Sequence, residues 1–114
     1  MNISLIRLPR PVTVKHMLFV CDVIPNKAEQ IPAVRHVDGT ARIQTINRTQ
    51  NAVYYDLLKA FQRRTGVPIL VNTSFNTRGE PIVCTPRDAV ESFFTSPLDA
   101  LVIGPFLLTK KAAG

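Results

Sequence analysis

The chain has 114 residues, with 14 lysines and arginines against 8 acidic side chains, a net charge of +6 and a pI near 9.9. That length sets one domain or a piece of a larger one, and with 46% hydrophobic and 19% charged residues the chain is too apolar for disorder. No apolar run approaches the ~20 residues of a membrane helix, the first residues lack the progression of a signal peptide, and Cys21 and Cys84 have neither zinc nor C-x-x-C spacing.

Residues 1–16 show neither helix nor strand periodicity, with Pro9 and Pro11 flanking Arg10, and read as an irregular N-terminal arm. Residues 17–24 are apolar and rich in β-formers, so a buried strand is expected. Residues 25–32 run polar between two prolines and read as a loop, and 33–37 as a second short strand. Asp38-Gly39 is a turn dipeptide, so a hairpin is expected there. The next strand, 40–46, alternates: Thr40, Arg42 and Gln44 share one face, and Ala41, Ile43 and Thr45 the other.

Tyr54, Leu57, Leu58 and Phe61 recur at i, i+3, i+4 and i+7 and predict an amphipathic helix, with Asn51 as N-cap and Gly66 as its stop. Residues 68–71 read as a strand buried on both faces, followed by a polar stretch over 72–80. Thr85-Pro86-Arg87-Asp88 is a helix start: Thr85 caps, Pro86 suits the first turn, and Asp88 stands three residues after the cap. Ala89, Val90, Phe93 and Phe94 form its apolar stripe, and Ser96-Pro97 ends it. Buried and terminal strands are expected at 99–103 and 106–108. The result is an α/β domain over 17–110, a mixed twisted sheet with two main helices, and a tail at 111–114.

Asn72, Thr73, Ser74 and Asn76 lie where a strand hands over to a loop, the usual place for ligands in α/β sheets. Short hydroxyl and amide side chains there, with backbone N–H groups and Arg78-Gly79 beside them, suit the oxygens of a phosphate or a small carbonyl compound; a plain turn would use the same residues. Arg42, on the polar strand face, offers a planar fork for bidentate phosphate contact, or else lies on a solvated face. His16 and His36 have no partner at metal spacing, so a hydrogen-bonded structural role is expected of each. P-loop, dinucleotide and nucleophile-elbow motifs are absent. Both cysteines sit in apolar runs and are expected as buried reduced thiols. Positive charge favours anionic partners, nucleic acid included, although the basic residues are scattered and Tyr54, Tyr55 and Phe61 fit a helix core better than a stacking platform.

Two long motifs carry a family resemblance. His36-Val37-Asp38-Gly39-Thr40-Ala41-Arg42, then Gln44-Thr45, resembles a segment of the O-carbamoyltransferases of nodulation-factor and antibiotic biosynthesis. Residues 65–76, ending Asn72-Thr73-Ser74-Phe75-Asn76, continue through Arg78-Gly79-Glu80-Pro81 and resemble a second. Asp99-Ala100-Leu101-Val102-Ile103-Gly104 matches the family's ending. The resemblance implies the C-terminal part of a YrdC-like α/β domain, truncated on its N-terminal side. Such a domain forms carbamoyl adenylate from carbamoyl phosphate and ATP, with Mg. An N-terminal domain with an iron-type metal, outside this chain, then passes the carbamoyl group to a hydroxyl.

Carried over by position, Arg42 and Ser74 would contact carbamoyl phosphate and the nucleotide phosphates, and Asn72 and Asn76 would shape the same pocket. The family's upstream Lys/Arg segment has no counterpart here, and Arg87 replaces a commonly acidic residue. The expectation is therefore a half-site completed by a complementing carbamoyltransferase domain or a homodimer, in the cytoplasm. A nucleic-acid-binding module and a non-catalytic interaction fragment are the alternatives.

Overall fold

A computed structural model describes residues 19–111; the expected arm at 1–16, His16 and the end of the tail lie outside them. In chain order the elements are β1 (Phe19–Asp22), a 3-10 helix (Pro25–Gln30), β2 (Thr40–Ile43), α1 (Ala52–Thr65), α2 (Pro86–Thr95), β3 (Ala100–Ile103) and β4 (Phe106–Thr109). The α/β class holds. In place of one mixed sheet, the strands pair as two antiparallel two-stranded sheets, β1–β2 and β3–β4. They belong to two compact units, one ending at Val71 and the other beginning at Asn72.

In the first unit Cys21 pairs with Ala41 and Phe19 with Ile43 on one face, while Val20 pairs with Arg42 and Asp22 with Thr40 on the other. Ala41 and Ile43 are buried with Val23, Ala28 and Ile31, and Cys21, Val34, Val67 and Ile69 pack against them. The alternation read from the sequence thus holds through Ile43: Ala41 is buried and Arg42 exposed. The expected buried strand at 17–24 is instead the exposed β1, because a two-stranded sheet covers only one of its faces. The expected loop at 25–32 winds into the 3-10 helix, started by Pro25 and buried at Ala28.

No strand forms at 33–37. The Asp38-Gly39 turn is present, with the Gly39 N–H donating to the His36 carbonyl (3.0 Å) and Gly39 at φ 83°, but the chain before it does not join the ladder. Residues 68–71 are extended without a ladder partner among the described residues; Pro68 is buried and Ile69 reaches the core, yet Val71 is exposed. The apolar content of this segment is explained by packing, not by a strand buried on both faces.

Helix α1 begins and ends where its caps dictate. The Asn51 side chain accepts from the Tyr54 N–H (3.0 Å), and Gly66 closes the helix at φ 79° with its N–H on the Gln62 carbonyl (2.8 Å). Leu58 is buried, while Leu57 of the predicted stripe is exposed. In the second unit Thr85 and Asp88 form a reciprocal capping box at the start of α2: the Thr85 hydroxyl accepts from the Asp88 N–H (3.1 Å) and the Asp88 carboxylate from the Thr85 N–H (3.0 Å). Phe93 is fully buried with Ala89 and Leu101, packed by Phe75, Val83, Val90, Ile103 and Leu108.

Phe94, expected in the same stripe, is 61% exposed, and Ser92 occupies the buried position beside Phe93. The Lys110 ammonium lies 5.0 Å from the Phe93 ring centroid and donates to the Ser96 carbonyl, tying the end of the chain to the end of α2. A two-residue turn at Gly104-Pro105 joins β3 to β4. Gly104 at φ 52° followed by proline is the type II′ combination, which suits strand twist. Leu101 faces the core, but Val102 and its pair Leu107 are about two-thirds exposed, so β3 is half-buried instead of buried. Both cysteines are free, Cys21 half-buried and Cys84 exposed, against the expectation that both are buried. Among the described residues no helix is long and apolar enough to cross a membrane.

Phe93→Ala is expected to cost about 3–5 kcal/mol and Thr85→Ala about 1 kcal/mol of stability, read from denaturant midpoints. Hydrogen bonds from Thr85, side chain first and then backbone, hold the Asp88 carboxyl below the usual carboxylate range. Its stabilisation is therefore complete at neutral pH and lost as pH falls through the lowered value. Asp88→Asn should lower stability at pH 7 and flatten the acid limb of the stability profile; an unchanged limb would contradict this account.

Candidate functional site

Arg42 is placed by the register of β2. Period two turns its neighbours Ala41 and Ile43 into the core, so its own side chain must leave on the opposite face, with Thr40. Across the ladder it meets Val20, which offers no charge, and it makes no ion pair or hydrogen bond among the described residues. The ion pairs that do occur, Arg48–Asp56 (3.3 Å) and Arg87–Glu91 (2.9 Å), are exposed and worth at most about 1 kcal/mol each. Arg87 is thus an exposed residue of the first turn of α2, paired one turn on.

Beside Arg42 stands a network that the sequence reading missed. The Asp38 carboxylate accepts from the Thr40 N–H (3.0 Å) and from the Thr40 hydroxyl (2.7 Å), an Asx-type turn. The His36 Nδ1 lies 2.9 Å from that same hydroxyl, and the His36 N–H donates to the Thr40 carbonyl (2.7 Å). The Thr40 bonds, side chain first, hold the Asp38 carboxyl below the usual range. His36 therefore has the hydrogen-bonded position expected of it, but on the surface and on a turn instead of within a strand. The signal was available: Asp two residues before Thr favours this turn, and His four residues before Thr is brought back onto it.

Asn72, Ser74 and Asn76 lie on one loop of the second unit, all exposed. Half-buried Phe75 anchors the loop in the core, and its carbonyl accepts from the Val83 N–H (2.8 Å). At Arg78-Gly79 the chain turns, with the Glu80 N–H on the Thr77 carbonyl (3.1 Å) and Gly79 at φ 86°, the position where a type II turn requires glycine. The Thr77 hydroxyl donates to the Glu80 carboxylate. Asn76 braces the turn: its amide donates to the carbonyls of Thr77 (3.3 Å) and Glu80 (3.2 Å), and its oxygen accepts from the Ser74 hydroxyl (2.8 Å). The backbone N–H groups of Ser74, Phe75 and Asn76 meet no acceptor among the described residues, and Arg78 is exposed without an ion pair. The loop thus presents N–H donors, a hydroxyl and a guanidinium to solvent, the donor set that holds phosphate oxygens.

A cavity of about 290 Å³ in the first unit is lined by residues including Ile31, Val34, Phe61, Val67 and Ile69. Its lining holds no charged side chain and none of the predicted site residues, so it suits apolar contact, not an anion. No cluster of three or more His, Cys, Asp or Glu residues with metal-binding geometry occurs among the described residues.

Comparison with known proteins bears on both motif regions. Residues 6–110 match the family model described as carbamoyltransferase C-terminus. The nodulation protein NolO of Bradyrhizobium diazoefficiens is 50% identical over 97 residues, 85% of this chain and 18% of that protein. The nodulation protein NolNO of Sinorhizobium fredii is 52% identical over 97 residues, again 85% of this chain but 14% of the relative. A 3'-hydroxymethylcephem-O-carbamoyltransferase of Amycolatopsis lactamdurans is 39% identical over 79 residues, 69% of this chain and 15% of that enzyme. The chain thus spans less than a fifth of the length of these relatives. With the match running through both the Arg42 strand and the Ser74 loop, the chain belongs to the carbamoyltransferase C-terminus family.

Proposed function

We propose that this chain is the anion-binding part of a carbamoyltransferase, one that forms carbamoyl adenylate from carbamoyl phosphate and ATP and delivers the carbamoyl group to a hydroxyl. The observation that carries this reading is Arg42, an exposed guanidinium without ion pair or hydrogen bond among the described residues, held by the β2 register in a motif shared with the family. A surface arginine with a nearby carboxylate partner would argue for structure; one left unpaired has its fork available to phosphate oxygens. The relative whose name states an O-carbamoyl transfer supports the reaction class.

In this reading the fold is the YrdC-like kind, and its residues position and neutralise. Arg42 takes phosphoryl oxygens in a bidentate pair. The Ser74 hydroxyl and the N–H groups of Ser74, Phe75 and Asn76 supply neutral donors to negative charge developing on the phosphates. Ser74 must turn from Asn76 to donate, since its proton rests on the Asn76 oxygen. Asn76, engaged with two carbonyls, holds the loop in shape and through it the pocket, and Asn72 stands at the loop's entry. Magnesium would arrive on the phosphates of ATP, because the described side chains form no metal cluster. Carbamoyl phosphate must first lose inorganic phosphate to water, leaving carbamate, whose oxygen then bonds to the α-phosphorus of ATP and expels pyrophosphate; donors to the leaving phosphate oxygens lower both barriers.

Turnover is assigned to an assembly in which further carbamoyltransferase polypeptide, on the same or another chain, completes the site. The exposed apolar pair Val102 and Leu107, with Ile82 and Phe106, supports such a covering partner. The proposal includes a cytoplasmic location, where ATP and carbamoyl phosphate are supplied.

Calorimetric titration of the chain with carbamoyl phosphate, and separately with ATP and magnesium, tests this. Saturable binding is expected, weakened about tenfold or more by Arg42→Ala, the weight of a charged hydrogen bond, and less by Ser74→Ala. Folded protein with no heat from either ligand would overturn the proposal. RNA binding that falls steeply with salt would favour the nucleic-acid alternative.

A further inference from the structure

The hydrogen bonds around Thr40 determine where the proton on His36 sits. A threonine hydroxyl has one proton. Asp38, with its carboxyl held below the usual range, is ionised at neutral pH and can only accept, so the Thr40 proton goes to it over 2.7 Å. Thr40 can then only accept from His36, and the 2.9 Å contact to Nδ1 is a donation by an Nδ1–H. In the neutral ring that leaves the lone pair on Nε2, on the side of the imidazole away from Thr40. No partner meets Nε2 among the described residues, and His36 is exposed.

Position matters as much as protonation. Thr40 and Arg42 are two residues apart on one face of β2, a spacing of roughly 7 Å. The His36 ring is bonded to the Thr40 side chain, and Arg42, which leaves from the same face of β2 as Thr40, is unpaired among the described residues. Carbamoyl phosphate has the complementary ends: an NH₂ group that donates, three bonds from a phosphorus bearing oxygens that accept. Acetyl phosphate has a methyl in place of that NH₂.

We infer that His36 is a specificity residue, its neutral Nε2 accepting a hydrogen bond from the carbamoyl NH₂ while Arg42 holds the phosphate, with Asp38 and Thr40 as positioning residues. The inference rests on the proposal that Arg42 binds the phosphate of carbamoyl phosphate. It gives the turn a task that its structural role does not require. A turn needs the Asp38 and Gly39 geometry, but not an imidazole with a committed tautomer.

The charged groups near His36 are Asp38, reached through Thr40, Asp22 of β1 opposite Thr40, Arg42 on the same face, and Arg35 next in the chain. Neither carboxylate pairs with Arg42. A ring carrying a hydrogen on Nε2 would donate there and could not accept from the carbamoyl NH₂.

The test compares calorimetric affinities for carbamoyl and acetyl phosphate, so that the phosphate contribution and its titration cancel in the ratio. At pH 8 the chain should prefer carbamoyl phosphate by roughly fivefold, one net hydrogen bond. His36→Phe should bring the ratio to about one with acetyl phosphate affinity retained. Thr40→Val, which frees the tautomer, should reduce the ratio, and Thr40→Ser should restore it. Long-range nitrogen–proton correlation spectra should show Nδ1–H as the neutral form of His36 and a mixture in Thr40→Val. Equal affinities at pH 8, or a preference untouched by His36→Phe, would overturn this inference alone. Failure of both acyl phosphates to bind the folded chain would overturn the Arg42 reading and this inference with it.

Discussion

A two-stranded antiparallel sheet can bury only one of its faces unless a second layer covers the other, and among the described residues the buried cluster of each unit packs on one side of its sheet. From this constraint the rest follows. In β1–β2, Cys21, Ala41 and Ile43 take the covered face, so Arg42, Thr40 and Asp22 are turned outward together. In β3–β4 the same logic places Leu101, Ile103 and Leu108 inward and Val102 and Leu107 outward. One outward face is polar and chemically equipped; the other is apolar and calls for a cover. Register thus decides the face of each residue, although Phe19 and Phe106, on the inward faces at the strand ends, are still exposed.

The loop after Asn72 solves a different problem. A segment that must present backbone N–H groups cannot also pair them, and it would lose its shape without other restraints. Phe75 supplies one restraint by burying its ring, and the Phe75–Val83 bond closes the loop behind it. Asn76 supplies another from its side chain, replacing the missing ladder with three hydrogen bonds to the loop itself. The loop is thus held by side chains together with the Phe75–Val83 and Thr77–Glu80 backbone bonds, which leave the N–H groups of Ser74, Phe75 and Asn76 without an acceptor among the described residues.

Local features were legible in the sequence. The Asn51 cap, the Gly66 stop and the Thr85–Asp88 capping box depend on residues within four positions of one another, and each was read correctly. So was the outward face of β2, since alternation is itself local. What failed depended on partners distant in sequence. Residues 33–37 and 68–71 have strand-like composition, but a strand exists only where another pairs with it; Val34 and Ile69 pack against the core instead, while Val37 and Val71 are exposed. Phe94 and Cys84 were assigned to the core by hydrophobicity, which does not say which side of a helix or segment is covered. Among the candidate residues Arg42 and the Ser74 loop stood out by residue type, whereas the His36–Thr40 contact required knowing that the turn folds one side chain back on another.

Electrostatics decide how far the described residues can go alone. Arg42 shares its face with Asp22 and Asp38, and two carboxylates within a few residues weaken its attraction for a polyanion. The +6 net charge does not correct this, because charges beyond a Debye length of about 8 Å are largely screened. A site built for discrimination can accept this balance. Weak attraction for phosphate as such means that any anion is held loosely, so a hydrogen bond to a group peculiar to one ligand has a larger share in selecting it. Strong binding of ATP needs more cations than this face provides, and in the proposed assembly they would come from the large part of the relatives' length that lies beyond the matched segment. On the proposal made above the division of labour is physical: the β2 face would distinguish the acyl group, and the completed site would provide the charge that drives phosphoryl chemistry.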